Sequence, residues 1–185
     1  MIIIGTLVDA WSKLIAQQAQ TALNAHTETQ LAYFSNETEL MDALLNGTVQ
    51  VYPKIFTEIK TQLPAGIAIS ALSPREKCAY SLLIADEAYD SDILLNIKNA
   101  ARVWVSYPLQ KVQLNSFRED LQIEQLRATP YEALQFFEDK IYDSVLLDSF
   151  SINVLNIDLN KYKSFTFNPK EFTTEAGQGI IGYLT

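Results

Sequence analysis

Arg75, Arg102, Arg118 and Arg127 are the only side chains of this sequence that can hold a carboxylate in a fixed fork of two parallel N–H donors. They stand in a 185-residue chain with 22 Asp and Glu and a net charge of −8. Binding of a polyanion would therefore rest on few groups and work against the long-range field. His26 is the single histidine and Cys78 the single cysteine, so neither a His-based metal site nor an internal disulfide can be assembled. The chain reads as metal-free, with Cys78 as an inert small residue.

The same charge balance, with a sequence pI near 4.6, argues against nucleic acid and anionic lipid surfaces as partners, since both are held by clustered Lys and Arg. Hydrophobic residues at 48% and charged residues at 19% describe a folded globular chain rather than a disordered one. No apolar run reaches the roughly 20 residues of a membrane helix. The opening MIIIGTLVDAW has neither a basic leader region nor a small-residue cleavage site, which predicts a cytoplasmic protein.

The elements that must position these residues alternate strand and helix. Ile2 to Ile4 reads as a strand, with Gly5-Thr6 as a turn. Asp9 is placed to N-cap a helix carrying Trp11, Leu14, Ile15, Ala19, Ala22 and Leu23 on one face. Gln30 to Phe34 reads as a strand, Glu37 to Leu45 as a helix stopped by Asn46-Gly47, and Val49 to Tyr52 as a strand. Pro53 then suits the first turn of a helix over Phe56 to Thr61, followed by a strand over Ile67 to Leu72. This rhythm predicts a parallel sheet with right-handed crossovers. The polar Ser73-Pro74-Arg75-Glu76-Lys77 marks a crossing between domains. Beyond it, strands are expected at Tyr80 to Ile84, Val103 to Val105, Leu121 to Ile123 and Val145 to Leu147, with helices over Pro108 to Phe117, Pro130 to Asp139 and Phe150 to Leu155. Asn156 to Pro169 is a second polar crossing, and Gly177 to Tyr183 a strand returning to the first sheet. Two α/β lobes follow, residues 1–78 with 160–185 and residues 79–159, around a cleft of the kind that holds ligands.

Several motifs, in order and spacing, resemble those of hydroxymethylbilane synthases (porphobilinogen deaminases). Ala176-Gly177-Gln178-Gly179-Ile180-Ile181-Gly182 resembles VGQGALGIE, and Ile4-Gly5-Thr6 with Ser12-Lys13-Leu14 and Gln18-Ala19 resembles IGTR.SKLALWQA with about three extra residues. Glu39-Leu40, Ala43-Leu44-Leu45, Leu63-Pro64-Ala65-Gly66-Ile67 and Pro74-Arg75-Glu76 resemble ELExALL, LPxGL and PERE. Val105-Ser106, Gln113-Leu114, Asp120-Leu121, Leu126-Arg127 and Tyr142-Asp143 fall where GTSSLRRxxQL, PDLxxxxLRGN and YDAIIL would place them. The resemblance implies two periplasmic-binding-protein-like α/β lobes. It also implies an activity: condensation of four porphobilinogen units with loss of ammonia on a covalent dipyrromethane primer, assisted by an acid in the cleft and by arginines that bind the carboxylates of each pyrrole.

Residue by residue, the resemblance makes Glu58 the acid, within Lys54-Ile55-Phe56-Thr57-Glu58-Ile59-Lys60 at the place of HSxKDxP. It assigns ligand contacts to Ser12, Gln18, Lys54, Ser106, Arg127 and Gln178. Plainer readings stand beside these: Glu58 as a helix-surface glutamate, Arg127 in a surface ion pair with Glu124 or Asp120, Ser106 as a turn serine. The departures are large. Leu109 and Gln110 replace the arginine pair of SLRR, Ala133 replaces one arginine of LRGNxxTR, and the GTR arginine has no counterpart in Leu7-Val8-Asp9. The lid loop is deleted between Phe34 and Glu39, and the resemblance ends with the GQG strand, before the third domain and its primer cysteine. The expectations are therefore no bound dipyrromethane and a catalytically degenerate relative with a small ligand or partner in its cleft. The alternatives are an active synthase, its missing domain supplied by a protein partner, and an unrelated solute-binding protein, against which the leaderless opening counts.

Overall fold

The computed structural model describes residues 1–76 and 78–185. In chain order its elements are β1 Ile2–Leu7, α1 Ala10–Asn24, β2 Thr29–Phe34, α2 Glu37–Leu45, β3 Tyr52–Ile55, β4 Ile69–Leu72, β5 Tyr80–Ile84, β6 Arg102–Val105, α3 Pro108–Phe117, β7 Gln122–Gln125, α4 Pro130–Glu138, β8 Ser144–Asp148, α5 Ser149–Val154, β9 Lys163–Thr166 and β10 Ile181–Leu184. They fall into two compact units, Met1–Glu76 with Ala176–Thr185, and the residues between.

In the first unit, β1 and β2 pair in parallel, with Ile4 opposite Leu31. The chain returns at Val51, parallel to Ile4, where the Gly5 N–H donates to the Val51 carbonyl at 2.8 Å. Beyond this point the expected all-parallel sheet gives way. β10 runs antiparallel between β3 and β4, with Tyr183 opposite both Pro53 and Ala71. Asp9 caps α1 by accepting the Ser12 N–H at 2.8 Å, and Asn36 caps α2 by accepting the Glu39 N–H at 3.0 Å. The buried stripe of α1 is Trp11, Ile15, Ala16 and Ala19, whereas Ala22 is exposed, so the stripe is shorter than its apolar spacing suggests. Leu40, Ala43, Leu44, Val49, Tyr52, Ile67 and Leu184 form a core beneath α2.

Two expectations fail here. Pro53 does not open a helix: it lies inside β3, and Phe56–Glu58 makes a single 3-10 turn before Ile59 returns to extended backbone. The cause is tertiary, because the Phe56 N–H donates to the Ile180 carbonyl at 2.9 Å and ties the segment to the approach of β10. The closing strand also begins later than Gly177, since Gly177 and Gly179 hold left-handed φ of 79° and 76° and turn the chain first.

In the second unit, the sheet order is β7-β6-β8-β5-β9, parallel across β7, β6 and β8 and antiparallel at β5 and β9. Its inner strands β5, β6 and β8 read as near-continuous apolar runs because both faces are covered. Alternation sends Leu82, Ile84, Val103, Val105 and Leu146 to the face packed by Leu114 of α3. Leu83, Trp104, Val145 and Leu147 face the opposite way, onto Ala133 and Phe137 of α4 and Ile152 of α5. Phe165, Phe167 and Phe172 belong to the first of these clusters, with Phe167 and Phe172 ring centroids 4.3 Å apart. Residues 160–175, expected in the first lobe, therefore belong to the second, because β9 within them pairs along β5.

Candidate functional site at the carboxyl ends of the strands

Parallel strands followed by helices bring loops and helix N-termini to their carboxyl edge, the usual ligand edge of open α/β sheets. In the first unit this edge gathers most of the residues singled out from sequence. Ser12 lies in the first turn of α1, just after β1. Lys54 is half-buried on β3, and its ammonium pairs with the Glu37 carboxylate at the start of α2 and lies 5.8 Å from the Tyr52 ring centroid. Glu58 follows on the 3-10 turn, half-buried rather than on a helix surface. Gln178 arrives from the loop before the antiparallel β10, 4% exposed, and its carbonyl accepts from Arg75 Nε at 3.2 Å. Gln18 is not brought here: it is exposed on α1, about 12 Å along the helix from Ala10.

Tyr52 and Glu37 were not foreseen. Burial pushes the Tyr52 hydroxyl above its ordinary range, and the charges of Glu37, Glu58 and Asp9 push it further, so it stays protonated. Glu37 thus acts on both neighbours, by its charge on the Tyr52 hydroxyl and by its ion pair on Lys54. Glu37 was visible in the sequence only as the first residue of a helix; nothing local marked it as the partner of a lysine 17 positions on.

The second unit has a corresponding edge. Ser106 follows β6, and its N–H donates at 2.8 Å to Oε1 of Gln110, which also accepts the Tyr107 N–H at 2.9 Å. The Ser106 hydroxyl makes no hydrogen bond among the described residues. Arg127 follows β7, exposed and without an ion pair among the described residues; Asp120, one of its expected partners, is held by Arg118 instead. Asp148 at the end of β8 is 5% exposed and accepts from the Ser151 hydroxyl at 2.7 Å, and the Cys78 thiol lies 3.9 Å from its Oδ1. Burial raises the neighbouring Tyr80 hydroxyl above its ordinary range, and Asp148 and Glu175 add to the rise.

Three of the four arginines are engaged by groups of the chain itself. Arg118, 8% exposed, donates to the carbonyls of Leu94 and Ile97, to Asn99 and to both oxygens of Asp120. Arg102 pairs with Asp143 at 3.6 Å and donates to the Lys140 carbonyl at 3.4 Å. Arg75 holds the Gln178 carbonyl. Only Arg127 is exposed at a strand's carboxyl end with no contact described. Among the described residues no group of three or more His, Cys, Asp and Glu could hold a metal ion.

A family model described as "Porphobilinogen deaminase, dipyromethane cofactor binding domain" matches residues 15–185. The porphobilinogen deaminase of Campylobacter concisus is 25% identical over 174 residues, covering 92% of this chain and 55% of the relative. That of Francisella philomiragia is 29% identical over 151 residues, 81% of this chain and 47% of the relative. The chain thus spans about half the length of these relatives. Among solved structures, the methionine binding protein MetQ is 15% identical with a TM-score of 0.58, covering 100% of this chain and 82% of its own. A periplasmic substrate-binding protein of an ABC transporter from Coxiella burnetii is 16% identical with a TM-score of 0.53, covering 100% and 83%. These likenesses describe a periplasmic-binding-protein-like α/β fold.

The residues present do not fit the named cofactor well. Of the positions that the resemblance gives to carboxylate-binding arginines, Ala133 is fully buried in a core, Gln110 is 2% exposed and turned inward to hold two backbone N–H groups, and Leu109 is apolar. No guanidinium stands at any of the three. Even so, the family model runs from residue 15 to the last residue, and curated relatives align over most of the sequence. The chain belongs to the porphobilinogen deaminase family.

Proposed function

We propose that this chain acts in tetrapyrrole metabolism as a catalytically degenerate member of its family, binding a small ligand that is less anionic than a pyrrole polycarboxylate at the carboxyl ends of its strands. The commitment of the arginines carries this reading. Three of the four are spent on backbone carbonyls or on the chain's own carboxylates, which leaves Arg127. Lys54 is already neutralised by Glu37, and Asp9 and Glu58 add negative potential at the neighbouring Tyr52. Such a surface repels a ligand that gains two carboxylates per ring.

The second reading is an active synthase, favoured by Glu58. It is an acid half-buried at the carboxyl edge of the first sheet, one methylene longer than the aspartate of the motif. A displacement of about 1 Å in a proton-handling group costs on the order of 100-fold in rate. Porphobilinogen consumption, followed by porphyrin fluorescence after oxidation, separates the two readings. No turnover above background is expected from the purified chain. Turnover that disappears in Glu58→Gln would restore the synthase.

A further inference from the structure

The first unit contains a groove of about 530 Å³ that lies outside the residues assigned above, apart from the paired Lys54 and Glu37. One wall is a stripe of α2: Glu37, Thr38, Met41, Asp42 and Leu45 recur at helical spacing, over about 12 Å. The other wall is the segment from Ile59 to Pro64, and Leu184 of β10 contributes to the floor. Size and lining suit a small molecule with an apolar body.

Its charges narrow the ligand. Glu37 and Lys54 neutralise one another by their ion pair. Asp42 on the helix wall and Lys60 on the facing wall are both exposed and have no side-chain partner among the described residues. Opposite charges thus stand on opposite walls of an apolar trough. A ligand with one charge would satisfy one wall and leave the other beside a like charge. We propose that this groove binds a zwitterionic α-amino acid with a large apolar side chain, its ammonium toward Asp42, its carboxylate toward Lys60 and its side chain on Met41, Ile59 and Leu63. The groove lies wholly within the first unit, and neither Asp42 nor Lys60 takes part in the reading above, so either proposal can fail alone.

The probe is L-phenylalanine, compared with N-acetyl-L-phenylalanine and L-phenylalaninamide, each of which lacks one charge. Titration calorimetry on the whole chain is expected to give saturable binding of phenylalanine, with each blocked form weaker by about three- to fivefold. In Asp42→Asn the penalty for acetylation should vanish while that for amidation stays, and in Lys60→Gln the reverse. Both positions are exposed, and far-UV circular dichroism checks that the variants fold. No saturable binding up to about 10 mM, or penalties that persist in both variants, would overturn the assignment.

Discussion

Arg118 arises from the short link between α3 and β7, yet it fastens a loop 19 to 24 residues earlier in the chain. Leu95, Asn96 and Ala100 hold left-handed φ of 66°, 56° and 57°, an unfavourable backbone for residues with a Cβ. The guanidinium donates to the Leu94 and Ile97 carbonyls and to Asn99, and Asp120 accepts the Ala100 N–H at 3.0 Å. Arg118→Met would leave those carbonyls without their donor, and the expected loss is about 2–3 kcal/mol in urea unfolding of the second unit. Trp104, 1% exposed in that unit, is the reporter in a Trp11→Phe background. Asp120 carries the pH dependence. The Arg118 hydrogen bonds, and then the Ala100 N–H, hold its carboxyl below the usual aspartate range. A depressed folded-state pKa gives stability that is complete above the unfolded value and is lost as pH falls through the folded one. The stability difference between the parent and Asp120→Asn should therefore be flat above about pH 4 and shrink only below it. A difference that instead grows as the solution is acidified would contradict the ion pair.

At the scale of elements, the turn into β10 places the tightest demand on one position. A Cβ at Gly177, whose φ is 79°, would come within 2.3 Å of the Phe56 ring. Gly47 has nearly the same φ, 77°, and nothing within 4 Å of the equivalent point. Both Ala substitutions meet the backbone penalty, on the order of 1 kcal/mol, but only Gly177→Ala also displaces an aromatic ring from its packing. Gly177→Ala should lower the Tm by about 4–8 °C, and Gly47→Ala by about half as much or less. Equal shifts would mean that Phe56 moves aside freely. The same region shows what periodicity could convey. The ranges of α2, α3 and β5 are legible in the sequence because their signals are local: caps, a first-turn proline, a continuous apolar run. Pro53 is an equally local signal, and it misleads because β3 draws its stability from β10, more than 120 residues on. β9 was hidden for the same reason, as a polar, lysine-bearing strand defined by pairing with β5. The candidate site divides likewise. Residues quoted from motifs mostly reach the strands' carboxyl ends, whereas Glu37, Tyr52 and Asp148 became visible only once their distant neighbours stood beside them.

At the scale of the whole molecule, the chain order creates an asymmetry between the units. The second is a continuous stretch with its core on both faces of one sheet. The first needs Ala176–Thr185, because β10 is the middle strand of three and pairs with β3 on one side and β4 on the other. Deleting those residues removes Ile181 and Leu184, only 5% and 0% exposed, and strips β3 and β4 of the strand they share. The lost burial alone is worth about 1.5–3 kcal/mol per side chain, and each ladder hydrogen bond adds about 1 kcal/mol. Together these approach the whole stability of a unit this size, about 5–15 kcal/mol. Each unit holds one buried tryptophan, Trp11 in the first and Trp104 in the second, 4% and 1% exposed. In a chain ending at Glu175, Trp11 (in a Trp104→Phe background) should emit as a solvent-exposed indole without denaturant. Trp104, in a Trp11→Phe background, should keep its buried emission and a cooperative urea transition. Loss of both signals would mean that the second unit depends on the first for its folding. Retention of both would mean that β3 and β4 hold together without β10, against the pairing that places it between them.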